Sequence, residues 1–407
     1  MNAISGGVTA AKGFKASGCA AGIKKNGQAD MALVVSETLC AAAGTFTTNV
    51  VKAAPVLWDK EVVGKGAAQA VVVNAGIANA CTGEEGYRYC LETAEEAADA
   101  LRLSAAHVLV ASTGVIGQQL PIDKIRAGVR ALAGMTGGNL EDGLAAAKAI
   151  MTTDTVPKEA AFTAALSDGS VVTVGGCAKG SGMIHPNMCT MLAFITTDAA
   201  IAQPLLQKAL SSAVPDTFNM VSVDGDTSTN DTCVVLANGM AGNAVISEEN
   251  ADYEAFREAL FAVCESLAKQ MAKDGEGATC LFECRVINAP SKEAAKTLAR
   301  SVVSSTLTKA AIAGHDANWG RILCALGYAG VPFDPMRVSL SIESAAGSLV
   351  TYEMGVPLLF DEEKATEILS ANEIRAIADM HDGIFAASAF GCDLTHEYVN
   401  INADYRS

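Results

Sequence analysis

The chain has 407 residues, half of them hydrophobic and 18% charged, enough to build a large buried core and to exclude wholesale disorder. Its 45 acidic and 29 basic side chains leave a net charge of −16, and only 5% of residues are aromatic. Neither non-specific attraction to a phosphate backbone nor base stacking on aromatic platforms is therefore expected, so no nucleic acid is predicted as a partner.

Twelve cysteines scattered over this length predict reduced thiols in a cytoplasmic, soluble protein rather than a disulfide scaffold. The start, Met1-Asn2-Ala3-Ile4-Ser5-Gly6-Gly7, lacks the basic and apolar stretches of a secretory signal, and no apolar run is long enough to predict a membrane span. In chain order, Met31–Val35 and Ala70–Val73 are apolar runs of buried-strand type, and Asn74–Asn79 is expected as a loop leaving the second. Tyr87–Arg102 places apolar residues at helical spacing with acids outside. His107–Ala111 reads as a strand with a small-residue loop at Ser112–Gly117, and helices follow at Asp123–Ala133 and Glu141–Ile150. Val171–Val174 and Met191–Thr196 predict strands, Gln203–Ser212 a helix, Ser222–Thr232 a polar turn-rich segment, and Cys233–Ala237 another strand. Tyr253–Lys273 is a long amphipathic helix stopping near Gly275, followed by a strand at Cys280–Ile287 and helix over most of Ser291–Ala313. The remainder mixes strands at Val338–Ile342 and Leu349–Glu353 with one helix at Glu363–Ile368. The fold class is mixed α/β.

Familiar catalytic signatures are missing. Lys179 precedes Gly180 where a phosphate-binding loop needs the reverse order, no dinucleotide fingerprint follows a strand, and Cys280 with Cys284 offers no zinc-knuckle spacing, so no metal is predicted. The densest candidate is KGSGMIHPNMCTMLAFITTD, Lys179 to Asp198, where Thr190 sits in apolar surroundings behind a turn-rich stretch. A threonine there is ordinarily a strand residue. Its hydroxyl can instead attack the Cys189 carbonyl, shifting the acyl group from nitrogen to oxygen, so that water then splits the chain. The new α-amine, with a reference pKa of about 7.7–8.0, can serve the same hydroxyl as a base.

Other segments offer the remaining roles. Thr113 and Gly114 can supply a hydroxyl and an approachable backbone N–H to a developing oxyanion, or can simply form a turn. Lys179 can hold a carboxylate, or be solvated. Glu276, between Gly275 and Gly277, can bind an ammonium group or face water, and the segment reads as exposed.

The run KGSGMIHPNMCTMLAFITTDA closely resembles the self-cleavage segment of the glutamate N-acetyltransferase family, also called ornithine acetyltransferase or ArgJ. The resemblance continues in GVTAAKGFKASG, ASTGVIG, MTTDT, DGEGAT, HDANWGRI and the terminal INADYRS, in the same order along the whole chain. It implies an ArgJ/DmpA-like N-terminal-nucleophile fold, with a catalytic α/β region over residues 1–280 and a smaller α/β domain over 281–407. It also implies cleavage between Cys189 and Thr190 into an α chain, 1–189, and a β chain, 190–407, assembled as an α2β2 heterotetramer. By the same resemblance Thr190 is the nucleophile, Thr113 and Gly114 form the oxyanion hole, and Thr153, Lys179, Thr190, Glu276, Asn402 and Ser407 contact substrate.

The implied reaction passes an acetyl group from N2-acetyl-L-ornithine to L-glutamate through an ester on Thr190, with no resident cofactor and with acetyl-CoA open as a second donor. The alternative is an aminopeptidase or amidase built on the same threonine; a metabolite-sensing binding protein is a further rival. His185 is expected to be a structural residue beside Pro186 rather than a base.

Overall fold

The computed structural model describes residues 1–185 and 191–403. The first half of the chain forms β1 (Asn2–Ile4), β2 (Phe14–Cys19), β3 (Met31–Phe46), α1 (Ala54–Gly64), β4 (Ala67–Ile77) and α2 (Gly83–Leu101). After these come β5 (Val108–Val115), α3 (Ile122–Met135), α4 (Leu140–Ala149), β6 (Lys158–Ala165), β7 (Val171–Lys179) and β8 (Leu192–Thr197). The middle supplies α5 (Gln203–Ala213), β9 (Val221–Ser222), β10 (Thr232–Ala237), α6 (Ala251–Lys273) and β11 (Leu281–Ala289). Then follow α7 (Lys292–Ser304), α8 (Thr306–Ala313), α9 (Trp319–Gly327), β12 (Ser339–Ser344), β13 (Gly347–Glu353) and β14 (Val356–Pro357). The last elements are α10 (Glu362–Leu369), β15 (Glu373–Asp379), β16 (Phe385–Cys392) and α11 (His396–Ala403).

Nine strands form one mixed sheet in the order β1-β6-β7-β8-β10-β3-β4-β5, with β2 added on β3. Its central strands are apolar at nearly every position because both faces are covered, and the two-residue alternation sorts them. Val71 and Val73 of β4 enter one core with Leu109 and Ala111 of β5, while Ala70 and Val72 enter another with Val108, Val110 and residues of α2 and α3. The second sheet runs β14-β13-β12-β15-β11-β16-β9. On β11, Phe282, Cys284 and Val286 are buried, and α7 packs on this strand and on β16. On the opposite face Arg285 is exposed, but Leu281 and Glu283 of β11 and Phe390 of β16 are buried.

Helix α6 lies between the sheets, touching β6 and β7 of one and β11 and β16 of the other. Asn250 caps it by accepting from the Asp252 and Tyr253 amides, and buried residues recur at helical spacing from Tyr253 to Ala272.

Several expectations need correction. The residues read as loops at Asn74–Asn79 and Ser112–Gly117 are partly strand, because parallel pairing carries β4 to Ile77 and β5 to Val115. The helix expected over Ser291–Ala313 breaks at Ser305, whose extended backbone and side chain instead cap α8 by accepting from Thr308 N–H. The carboxyl-terminal stretch holds α9 and α11 besides the single predicted helix, and β2, α1 and β6 were absent from the sequence reading. Eleven cysteines are described, all free; eight are buried, Cys19 is half-buried, and Cys81 and Cys324 are exposed. Burial pushes the thiols of Cys40 and Cys280 up to about 12. Among the described residues, no helix is long and apolar enough to cross a membrane.

Candidate active site

The ends of β4, β5 and β7 converge on a cavity lined by Thr113, Gly114, Thr153, Lys179, Glu276 and Asn402, together with Thr152, Gly182, Ser228, Thr229 and Asn230. All six candidates that fall within the described residues thus meet in one place. Cys189, Thr190 and Ser407 lie outside the described residues.

Thr113 and Gly114 stand where β5 pairs with Gly76 and Ile77 of β4 through an irregular register. Gly114 has φ +129°, and a Cβ there would sit 2.2 Å from the Gly76 carbonyl carbon, so a side chain is excluded both by conformation and by space. Asn230 ties this strand end to the polar segment before β10 by donating to the Ala78 and Ser112 carbonyls at 2.6 and 2.8 Å.

Lys179 ends β7 with its side chain only 3% exposed. Its Nζ donates to Thr152 Oγ1 at 2.7 Å and stands 3.8 Å from Asp154 Oδ2. Burial lowers its pKa, Asp154 opposes that, and the neighbouring Lys158 cation adds to it. Asp154 also accepts from the Gly180 amide at 2.7 Å and from Lys158 Nζ at 2.7 Å. Burial alone would raise the Asp154 pKa, but Lys179 and Lys158 outweigh it and hold the carboxyl well below the usual carboxylate range.

Lys158 is fully buried and donates as well to Asp274 Oδ2 at 2.5 Å, while Asp274 accepts from the Thr155 amide and hydroxyl. Asp274 is the residue on which α6 ends, so the helix terminus is locked to the segment carrying Thr152 and Thr153. Thr153 Oγ1 shares a 2.7 Å hydrogen bond with Ser181 Oγ.

Glu276 corrects the expectation of an exposed segment: it is 8% exposed, because α6 and the residues after β7 close over it. Its amide donates to the Ser181 carbonyl at 2.8 Å, and its Oε2 accepts from Asn402 Nδ2 of α11 at 2.7 Å. The carboxylate lies against Gly182, where a Cβ would come within 2.3 Å of it. His185 Nδ1 and Ser222 Oγ stand 3.1 Å apart, and burial followed by the Arg300 charge lowers the imidazole pKa.

The arrangement offers hydrogen-bond donors at a strand end, a buried ammonium and a carboxylate around one small space, which suits binding of a zwitterionic substrate. Sequence reasoning missed Asp154, Lys158 and Asp274. The polar turn-rich segment at Ser222–Thr232 and the glycines flanking Glu276 were the available signals for the cavity wall, whereas nothing around Lys158 marked it.

The ArgJ family profile matches residues 15–407. The arginine biosynthesis bifunctional protein ArgJ of Symbiobacterium thermophilum is 52% identical over 409 residues, covering all of both chains. Among solved structures, ArgJ from Bacillus halodurans is 45% identical, covers 51% of this chain and 96% of its own, and superposes with a TM-score of 0.49. Ornithine acetyltransferase from Mycobacterium tuberculosis, solved with ornithine, is also 45% identical, covering 47% of this chain and 99% of its own, with a TM-score of 0.43. A profile spanning nearly the whole sequence, and a relative sharing half of its residues from end to end, establish that this chain belongs to the ArgJ family.

Proposed function

We propose that this chain is an acetyltransferase of arginine biosynthesis that moves the acetyl group of N2-acetyl-L-ornithine to L-glutamate through an acetyl ester on Thr190. The observation that carries this reading is the single cavity, which gathers Thr113, Gly114, Thr153, Lys179, Glu276 and Asn402 from separate stretches of the chain. The chain cuts itself between Cys189 and Thr190, which frees the threonine amine to act as the base for its own hydroxyl. The hydroxyl adds to the acetyl carbonyl, the Thr113 hydroxyl and Gly114 N–H hold the oxyanion, and ornithine departs with a proton. Glutamate then takes the acetyl group in the reverse sequence. Lys179 holds the α-carboxylate common to both amino acids, and Glu276, steadied by Asn402, receives the ornithine ammonium. Thr153 and Ser407 complete the substrate contacts.

The two fragments stay together as an α2β2 assembly in the cytoplasm. The division at residue 280 is supported by the second sheet, which draws every strand except β9 from residues 281–407. Family membership favours transfer to an amine over the peptidase alternative.

The test is product formation from glutamate with acetylornithine and with acetyl-CoA, measured side by side, alongside the Thr190→Ala variant. Ping-pong kinetics with acetylornithine, and an uncut, inactive variant, are the expected outcome. Hydrolysis of peptide amides without acetyl transfer would overturn the reading.

A further inference from the structure

A second cavity, of about 750 Å³, opens between α8 and α11 and shares no lining residue with the one described above. Ala313, Leu394 and Val399 give it apolar walls. Two polar groups in it lack the partners that burial calls for.

The first is Lys309, which is 4% exposed. Its Nζ donates to the Cys392 carbonyl at 2.6 Å and to Cys392 Sγ at 3.3 Å, which leaves one ammonium hydrogen over. Lys309 forms no ion pair among the described residues. Asp393, next to Cys392 in the chain, spends its oxygens on the Thr279 amide and hydroxyl and on the Cys280 amide instead. An ammonium taken out of water without an anion against it is costly. The second group is Ser304, at the end of α7, whose hydroxyl is buried and has no hydrogen-bond partner among the described residues. Both groups can donate into the same cavity, so what they lack is an acceptor, and beside a cation the fitting acceptor is an anion.

The rest of the lining narrows the choice. Asp224 also faces the cavity, but four donors already occupy its oxygens: the Met183 and Ile184 amides at 2.5 and 2.9 Å, and the Asp226 amide and Tyr398 hydroxyl, each at 3.2 Å. With its lone pairs taken it has little to offer a ligand ammonium, and its negative charge opposes a second anionic group on the occupant. A lone ion or water would leave most of this volume unfilled, whereas an apolar body would cover the aliphatic walls.

We propose that the cavity between α8 and α11 is a second ligand site, for a small aliphatic monocarboxylate whose anion is held by Lys309 and Ser304. The carboxylate takes the remaining Lys309 hydrogen and the Ser304 hydroxyl hydrogen, and the hydrocarbon part lies against Ala313, Leu394 and Val399. The site is separate from the transfer chemistry and does not depend on it.

The test is a ligand-observed NMR titration of the full chain with pentanoate. Saturable binding is expected, with pentylamine failing to compete and glutarate competing poorly. Ser304→Ala removes a hydroxyl that holds nothing in the fold, and it should weaken pentanoate by about tenfold, the size of one hydrogen bond to a charged group. Lys309→Met keeps the length of the stem but not the charge, and should weaken binding by about tenfold or more. Absence of saturable binding overturns the proposal, as does pentylamine competing as well as pentanoate. Undiminished affinity in Ser304→Ala overturns it too, and that outcome can be read even if Lys309→Met does not fold.

Discussion

The two sheets treat charge in opposite ways. Between the nine-stranded sheet and α6, Lys158 is sealed against Asp154 and Asp274 with almost no exposure on any partner. On the seven-stranded sheet, Arg375 pairs with Glu343 at 2.7 Å and lies 2.9 Å from Glu283, but Arg375 and Glu343 are more than a third exposed. Distances alone would rank the two clusters as equals. Their surroundings do not: water screens the second cluster, while in the first each charge depends on its partners for solvation. The sealed cluster also touches Lys179 and the Thr152–Thr153 segment, so ionic order there is passed directly to the cavity.

This contrast can be broken experimentally. The largest effect is expected from Lys158→Met, which strands two carboxylates and should lower unfolding stability by about 3–5 kcal/mol in urea titrations. The same cluster predicts acid sensitivity. Because the folded-state pKa of Asp154 is depressed, its contribution is complete above the unfolded carboxylate range and is lost as pH falls through and below that range. A melting temperature that holds near neutrality and drops steeply below about pH 4 is the expected curve. A melting temperature unchanged down to pH 3 would remove Asp154 from the argument.

Next in size, Gly114→Ala should reduce the transfer rate by about 10²-fold or more, through loss of the oxyanion donor geometry. Its backbone strain adds about 1–3 kcal/mol of destabilisation. Undiminished kcat would show that the β5 end does not face the reacting carbonyl. Glu276→Gln keeps an oxygen for Asn402, so its melting temperature should barely move while KM for acetylornithine rises about tenfold, the size of one charged hydrogen bond. The smallest effect belongs to Arg375→Met, at no more than about 1 kcal/mol and with unchanged kinetics. A loss as large as that of Lys158→Met would show that exposure is a poor guide to the worth of these pairs.

What was readable in the sequence was local. Continuous apolar runs located parts of β3 and β4, and helical spacing located α2 and α6, because each carries its burial signal within its own stretch of chain. Thr113 and Gly114 were found by residue type but assigned to a loop, since the strand around them exists only through pairing with β4, some forty residues earlier in the chain. Glu276 looked exposed because its cover comes from elements on either side of it, and α11 was not anticipated at all. The ion cluster was invisible for the same reason: Lys158 and Asp274 are 116 positions apart. Chemistry carried by neighbours in sequence was legible; chemistry assembled across the sheet was not.

The eight thiols buried among the described residues turn the protein into its own strain gauge. With most sulfur atoms shielded in the packed layers, a disulfide reagent should consume Cys81 and Cys324 quickly and the shielded group only when the layers part. The slow phase of such a titration would time the opening of the interior without any attached dye, and comparing variants by that clock would separate damage to the scaffold from damage to the chemistry.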